Sequence, residues 1–230
     1  MLKVFPLVVL LAASAALLSS QTTSPGTVQA TGIVTNSVNP DQAQLDVSVI
    51  TQGSTAQQAS QQNAAQTTTV LNALKQTLGV SGTVQTINYS VYPRYSNSPG
   101  QNDVVVGYTA SNTVLVTTNN LNLAGPLIDT ANQAGASTVS NLTFGLQNPE
   151  PYKQQALSAA AKQAQAHATA IAAGLGAKTG AIVSAQEAAA TSIYPVLAAG
   201  SAASSGTPTP VQTGTVSVSA TVTITVQLLQ

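Results

Sequence analysis

Apolar and polar residues alternate along much of the chain, which is the pattern of strands with one buried face. The alternation is strictest near the C-terminus, where apolar residues between 216 and 228 are separated by serine, threonine and glutamine. A period of two places every second side chain on the same face of a strand. We predict strands over residues 28–34, 43–49, 83–92, 104–117, 139–146, 181–187 and 216–228.

Turn residues indicate how these strands connect. Residues 39–41 (Asn-Pro-Asp) form a short turn between the first two strands, because proline presets φ and aspartate bonds to nearby amides. Consecutive strands joined by a short turn pair as an antiparallel hairpin, so we expect the first two strands to pair. The third and fourth strands form a second predicted hairpin, whose long polar tip spans residues 93–103.

Three stretches change to a spacing of three and four residues, which is typical of an amphipathic helix. The first covers residues 54–78 and begins with a capping box formed by Ser54 and Gln57. The second covers 119–134 and is capped by Asn119 or Asn120. The third covers 149–174, with Asn148 as its cap and Pro149 in its first turn.

The third helix is dominated by alanine, so a sheet or another helix can approach it closely. Its predicted contact stripe steps by four and three residues, as expected for one face of a helix. The stripe consists of Leu157, Ala161, Ala164, Ala168, Ile171 and Leu175.

The order ββ-α-ββ-α-β-α-β-β favours an α+β fold, in which three helices pack on mostly antiparallel sheet built from hairpins. One domain spans residues 27–230. Residues 188–210 are rich in alanine, serine, glycine and proline and are expected to form a mobile loop.

The N-terminus has the order of a secretory signal peptide. Lys3 is followed by an apolar run and then by small residues, with an Ala-x-Ala site at 13–15. We predict a signal peptide over residues 1–20, cleaved after Ala15 or Ser20, and a flexible leader over 21–26. The expected location is periplasmic or secreted, with no membrane span remaining after cleavage.

Charge is nearly absent from the chain. Lysine and arginine total 6 residues, aspartate and glutamate also total 6, and charged residues make up 5% of the sequence, whereas about 25% is ordinary. A nucleic-acid partner is excluded, because phosphate binding needs clustered basic side chains. Without cysteine the chain has no disulfide, thiolate nucleophile or thiolate metal site.

Residues able to carry chemistry are few and scattered. His167 is the only histidine, and no aspartate, glutamate or cysteine stands near it in the sequence to complete a metal site. Asp41 is interpreted as a turn residue, and Asp46 as an outward-facing strand residue. The chain also lacks a Gly-x-Ser-x-Gly nucleophile elbow. We therefore predict no catalytic residue, no cofactor and no metal.

Two short clusters are candidates for an interface. Tyrosine and arginine are enriched where proteins meet, and both occur near the tip of the second predicted hairpin; Tyr89, lower on the same strand, is expected in the core. A short apolar cluster also lies inside the predicted mobile loop. The candidate interface residues are Tyr92, Arg94, Tyr95, Tyr194, Val196 and Leu197.

The order of several short motifs resembles the SIMPL-domain family of exported bacterial proteins, which include a periplasmic immunogenic antigen type. The resemblance runs from about Gly26 to Leu228. The motifs are Gly32, Pro40-Asp41-x-Ala43, Gly107-Tyr108-Thr109-Ala110, Val114-Leu115-Val116, Gln133-Ala134-Gly135-Ala136, Phe144-Gly145-Leu146, the alanine helix from Ala156 to Ala173, Thr209-Pro210-Val211, Gly214 and the strand from Val216 to Val226.

This resemblance implies an α+β fold, export to the periplasm, a homo-oligomer that is ring-like or channel-like, and a link to envelope or oxidative stress. It supplies no catalytic residues. The main hypothesis is therefore a non-catalytic, self-associating envelope protein. The alternative is a periplasmic binding module for a small molecule or glycan, and a third hypothesis is a hydrolase that uses His167.

Overall fold

The computed structural model of the protein describes residues 26–96, 104–187, 192–196 and 209–230, with backbone alone for 192–196. The predicted signal peptide and all but the last residue of the predicted leader lie outside the described residues. Within the described ranges, no helix is long and apolar enough to cross a membrane.

Three helices and eight strands form the described structure. The helices are α1 (Ala56–Leu78), α2 (Ala124–Gln133) and α3 (Glu150–Gly174), and a 3₁₀ turn at Leu121–Leu123 precedes α2. The strands are β1 (Thr27–Val38), β2 (Gln42–Gly53), β3 (Gly82–Tyr95), β4 (Val105–Thr118), β5 (Thr138–Gly145), β6 (Lys178–Glu187), β7 (Ser192–Val196) and β8 (Thr215–Leu229).

The strands form two antiparallel sheets, which confirms the predicted α+β class. In the β1–β8 sheet, β8 pairs with β1 on one side and with β6 and β7 on the other. In the β2–β4 sheet the order is β3-β4-β2-β5. The helix α3 packs on the first sheet, while α1 and α2 pack on the second.

The predicted hairpin between the first two strands is wrong, because β1 and β2 belong to different sheets. β1 pairs with β8 along twelve consecutive residue pairs, while β2 pairs with β4 and β5. The turn between them is bonded to the end of β5: Asp41 N donates to Gly145 O at 3.0 Å, and Gln147 N donates to the Asp41 carboxylate at 2.7 Å. The turn therefore carries the chain from one sheet to the other.

The predicted hairpin of the third and fourth strands is confirmed. β3 and β4 pair from Gly82 opposite Thr118 to Tyr95 opposite Val105. An irregularity between Thr86 and Asn88 shifts the register by one residue, as a β-bulge does.

The core of the β1–β8 sheet is made of unusually small side chains on the helix side. The observed stripe of α3 differs from the predicted one: Ile171 is 42% and Leu175 67% exposed, so both were wrongly assigned to it. Gly32 brings the backbone of β1 against the backbone of α3. Because the two elements lie so close, the helix residues that face β1 are alanines. The fully buried residues of α3 are Ala156, Ala160, Ala164, Ala168 and Ala172.

The core of the β2–β4 sheet has larger side chains and one buried amide. Asn63 of α1 is fully buried, and its Nδ2 donates to Val49 O at 2.8 Å and to Ala110 O at 3.2 Å. Its Oδ1 accepts from the Thr67 hydroxyl at 3.3 Å. The remaining core consists mainly of Leu45, Val47, Val49, Val70, Leu74, Leu78, Val114, Val116, Leu127 and Ala131.

The N-cap of the first helix lies one residue later than predicted. Its N-cap is Thr55, whose hydroxyl accepts from Gln58 N at 3.1 Å, and the Gln58 side chain accepts in return from Ser54 N at 3.0 Å. The capping box predicted for Ser54 and Gln57 is therefore wrong by one position. Thr55 sets the start of the helix, because its hydroxyl accepts a hydrogen bond from an amide that has no partner within the helix.

The loop predicted over residues 188–210 is wrong for residues 192–196, which form β7. Their backbone pairs with β8 from Ser192 opposite Ser219 to Val196 opposite Thr215. At the other end of this range, Thr209 is bonded to Asp129 of α2.

Candidate functional site

The β3–β4 hairpin extends past the strand beside it. β2 ends at Gly53 opposite Tyr108, whereas the pairing of β3 with β4 continues to Tyr95 opposite Val105. Ser96 N then donates to Val104 O at 2.9 Å. The last residues of the hairpin therefore project from the sheet without a third strand.

Large apolar side chains on this projection, and Tyr92 just before it, face solvent. We call them, together with Arg94, the hairpin tip surface. Each of the five uncharged members is between 43% and 57% exposed. This exposure is unfavourable, because burying the apolar area of tyrosine and valine would lower the free energy. The surface consists of Tyr92, Arg94, Tyr95, Val104, Val105 and Val106.

Arg94 is held in place by a neighbouring strand. One of its guanidinium nitrogens donates to the Gln52 side-chain oxygen of β2. On the same part of the sheet, Thr109 lies opposite both Gln52 and Tyr92 and is 4% exposed. Contacts within the fold therefore hold the base of the hairpin tip surface in place, while its apolar side chains remain exposed to solvent.

The six predicted interface residues fall in two places. Tyr92, Arg94 and Tyr95 are adjacent on β3 and lie at the hairpin tip. Tyr194 and Val196 lie on β7, in the other sheet, with their side chains outside the described residues. Leu197 also lies outside the described residues.

The sequence interpretation missed the valines of this surface and misplaced one tyrosine. Val104, Val105 and Val106 are consecutive apolar residues, and such a run on a strand must expose at least one side chain on the polar face. That break in the alternation was the available signal. Tyr89, predicted in the core, is 53% exposed.

Asp41 and Asp46 each accept a hydrogen bond from another part of the fold. Asp41 accepts from Gln147 N, as described for the turn. Asp46 accepts from the Asn141 side-chain amide at 2.8 Å across β2 and β5. Among the described residues, no three histidine, cysteine, aspartate or glutamate side chains come together as metal ligands would.

Asp129 of α2 holds the segment that leads into β8 against that helix. Its carboxylate accepts from the Thr209 hydroxyl at 2.6 Å and from Thr209 N at 3.1 Å. The hydroxyl bond first, and then the amide bond, lower the pKa of Asp129 below its ordinary 3.8. This contact is therefore intact at neutral pH and is lost as the pH falls through that lowered pKa.

An open cleft of about 240 Å³ lies beside this contact. Its walls come from the start of α2 and from the segment before β8. The lining residues are Leu121, Asn122, Gly125, Pro126, Thr209, Val211 and Thr213.

Residues 28–226 match the SIMPL family (DUF541), whose description is a protein of unknown function. The chain belongs to the SIMPL family. The matched range starts in β1 and ends in β8, so it contains the three described helices and nearly all of both sheets of this SIMPL protein.

Two relatives carry the name 26 kDa periplasmic immunogenic protein. The one from Brucella melitensis biotype 1 is 27% identical to this SIMPL protein over 173 residues, which cover 74% of this chain and 69% of the relative. The one from Brucella abortus is 27% identical over 173 residues, with the same coverage. Both names place those proteins in the periplasm.

Proposed function

We propose that this SIMPL protein is an exported, non-catalytic envelope protein that assembles with copies of itself through the hairpin tip surface. The assembly is ring-like or channel-like, as the family resemblance implies, and contributes to tolerance of envelope or oxidative stress. Export is supported by the signal-like N-terminus and by the periplasmic names of the two relatives. The role in stress rests on the family resemblance alone.

The observation that carries the proposal is the exposed apolar surface at the hairpin tip. Several exposed apolar side chains grouped on one hairpin, with tyrosine and arginine among them, are typical of surfaces that meet another protein. In a symmetric contact the same surface of each copy meets the other, so like charges come close together and repel. A surface with few charged side chains is therefore better suited to self-association. Arg94 is the single charged member here and already bonds to Gln52. The net charge of +0 also removes long-range repulsion between copies.

The bonds of the ionisable groups support a non-catalytic role. Asp41, Asp46 and Asp129 accept hydrogen bonds from amides or a hydroxyl of the fold. His167 bonds to a backbone oxygen of β1. A general acid or base needs to reach a substrate proton, whereas these groups stabilise contacts between elements.

The cleft beside α2 is the observation that favours the alternative, a periplasmic module that binds a small molecule or glycan. Its volume of about 240 Å³ is below the roughly 300–1,000 Å³ of sites that enclose a drug-sized ligand. A ligand that raises the unfolding temperature of the wild-type chain, but not of an Asn122→Ala variant, would support this alternative.

Replacing the two tyrosines of the surface tests the proposed assembly. We expect Tyr92→Ser/Tyr95→Ser to weaken self-association roughly 100-fold, because buried tyrosines commonly contribute most of the energy of an interface. Sedimentation velocity over a range of protein concentrations measures the change, and circular dichroism verifies that the variant is folded.

A control variant removes two exposed apolar side chains elsewhere. Val80 and Leu175 are 103% and 67% exposed and lie in the turns that follow α1 and α3, outside the hairpin tip surface. Val80→Ser/Leu175→Ser should leave self-association unchanged. Equal weakening in both double variants would contradict an interface at the hairpin tip.

A further inference from the structure

β1 presents a row of backbone groups that face away from its partner strand. In the described part of the chain it lies at the edge of the β1–β8 sheet. Leu228 N donates to Gly26 O at 2.7 Å, so even-numbered residues face β8. The N–H and C=O groups of odd-numbered residues therefore point outward, because both groups of one residue lie on the same side in an antiparallel ladder.

This edge lacks the usual protection against pairing with another strand. Proteins commonly place charged residues or proline on exposed edges. The β1 sequence TVQATGIVTNSV contains neither. An uncharged edge of 12 residues is a template to which a further strand can add.

Two side chains of α3 occupy the centre of this edge. Ile33 N donates to the Gln163 side-chain oxygen at 2.7 Å, and His167 Nδ1 lies 2.8 Å from Thr31 O. A carbonyl oxygen only accepts, so Nδ1 carries the proton in this contact. The two bonds fill one outward donor and one outward acceptor, and the spacing of four residues places both side chains on the same side of the helix.

The close packing of α3 on β1 makes this contact possible. A Cβ atom at Gly32 would lie 2.0 Å from Ala160 O and 2.6 Å from Ala164 N. Helix and strand backbones therefore touch directly beneath the edge. From that position Gln163 and His167 reach around to the outward-facing groups of Thr31 and Ile33.

We propose that Gln163 and His167 form an edge lock, which prevents β1 from pairing with the β1 strand of a second copy. A two-fold antiparallel pair of β1 strands centred here would place Thr31 of one copy opposite Ile33 of the other. It would use the same N–H and C=O groups that the edge lock now fills, so the two arrangements exclude each other. The edge lock therefore restricts assembly to other surfaces of the protein. Within it, His167, the only histidine in the sequence, has a positioning role.

The double variant Gln163→Ala/His167→Ala tests this proposal. We expect a new dimer in sedimentation velocity, both in the wild-type background and with Tyr92→Ser/Tyr95→Ser, so that assembly through the hairpin tip does not hide it. In the dimer, hydrogen exchange at the Ile33 amide is slowed. In dilute monomeric samples the same amide exchanges about tenfold faster than in the wild type, because its acceptor is gone.

Two further sets of variants keep the outcome decisive. Gln165→Ala/Thr169→Ala has the same spacing on the exposed side of α3 and should change neither measurement. Single Gln163→Ala should accelerate Ile33 exchange on its own, whereas Gln163→Glu, which keeps an acceptor oxygen, should restore protection. The proposal is overturned if the Gln163→Ala/His167→Ala protein has the mass distribution and Ile33 exchange of the wild type, or if the control pair has the same effect.

Discussion

Gly32→Ala is expected to destabilise the protein by about 3 kcal/mol, at the upper end of what overpacking usually costs. The added Cβ would lie 2.0 Å from Ala160 O and 2.6 Å from Ala164 N. Both contacts are with backbone, so no side-chain rotation relieves them, and α3 must move away from the sheet. Such a loss corresponds to a melting temperature lower by roughly 10 °C for a chain of this size.

The same substitution at Gly145 is the matched control. Gly145 ends β5, and nothing lies within 4 Å of the position of its Cβ. Gly145→Ala should change the free energy of unfolding by less than about 0.5 kcal/mol. Equal melting temperatures for the two variants in thermal unfolding would contradict direct contact between α3 and β1.

Asn63→Asp is the second substitution with a large expected effect. Asn63 is fully buried and donates to two carbonyl oxygens, Val49 O and Ala110 O. A carboxylate of the same shape can only accept, so it would face two oxygens without a compensating charge. We expect a loss of about 3–5 kcal/mol at pH 7, which is the cost of an unpaired buried charge. Urea unfolding measures it directly.

The pH dependence of this loss follows from the protonation that the fold favours. The neutral acid can donate one hydrogen bond and carries no charge, so the folded-state pKa of the new aspartate lies above its unfolded value of about 3.9. The deficit is complete above the folded-state pKa and shrinks as the pH falls through it.

Asn72→Asp provides the control for the buried aspartate. Asn72 is exposed on the same helix, so this aspartate should cost less than about 0.5 kcal/mol at every pH. If both aspartate variants unfolded at the same urea concentration at pH 7, the buried amide would not hold α1 on the β2–β4 sheet.

The alternation of residues predicted seven of the eight described strands, but not every partner. β3 and β4 are joined by a local hairpin, so their pairing could be predicted from sequence. β1 and β8 stand at opposite ends of the chain, and a period of two is equally compatible with any neighbouring strand. The turn at 39–41 was recognised, but its bonds to the end of β5 are long-range and leave no local signal.

Helix packing illustrates the same limit. The spacing of small residues in α3 predicted a contact stripe, and Ala164 and Ala168 are indeed buried. The exact stripe depends on Gly32, which lies far away in the sequence and forces alanine along the line of contact. Leu175 was therefore misassigned, because apolar character alone does not reveal how close the partner lies.

The candidate site was partly accessible from residue type. Tyr92, Arg94 and Tyr95 were selected because these side chains are favoured at interfaces, and the structure places them on one exposed hairpin tip. The edge lock could not be predicted, because glutamine and histidine on a helix carry no signal of a strand edge more than a hundred residues away.

Mass measurement of the exported chain tests the central claim most directly. Protein recovered from the periplasm of an expressing bacterium would be examined by native mass spectrometry and by sedimentation over a wide range of concentrations. Self-assembly predicts species at discrete multiples of the single-chain mass, which become more abundant as concentration rises. A single-chain mass at every concentration, with the protein folded, would contradict the account.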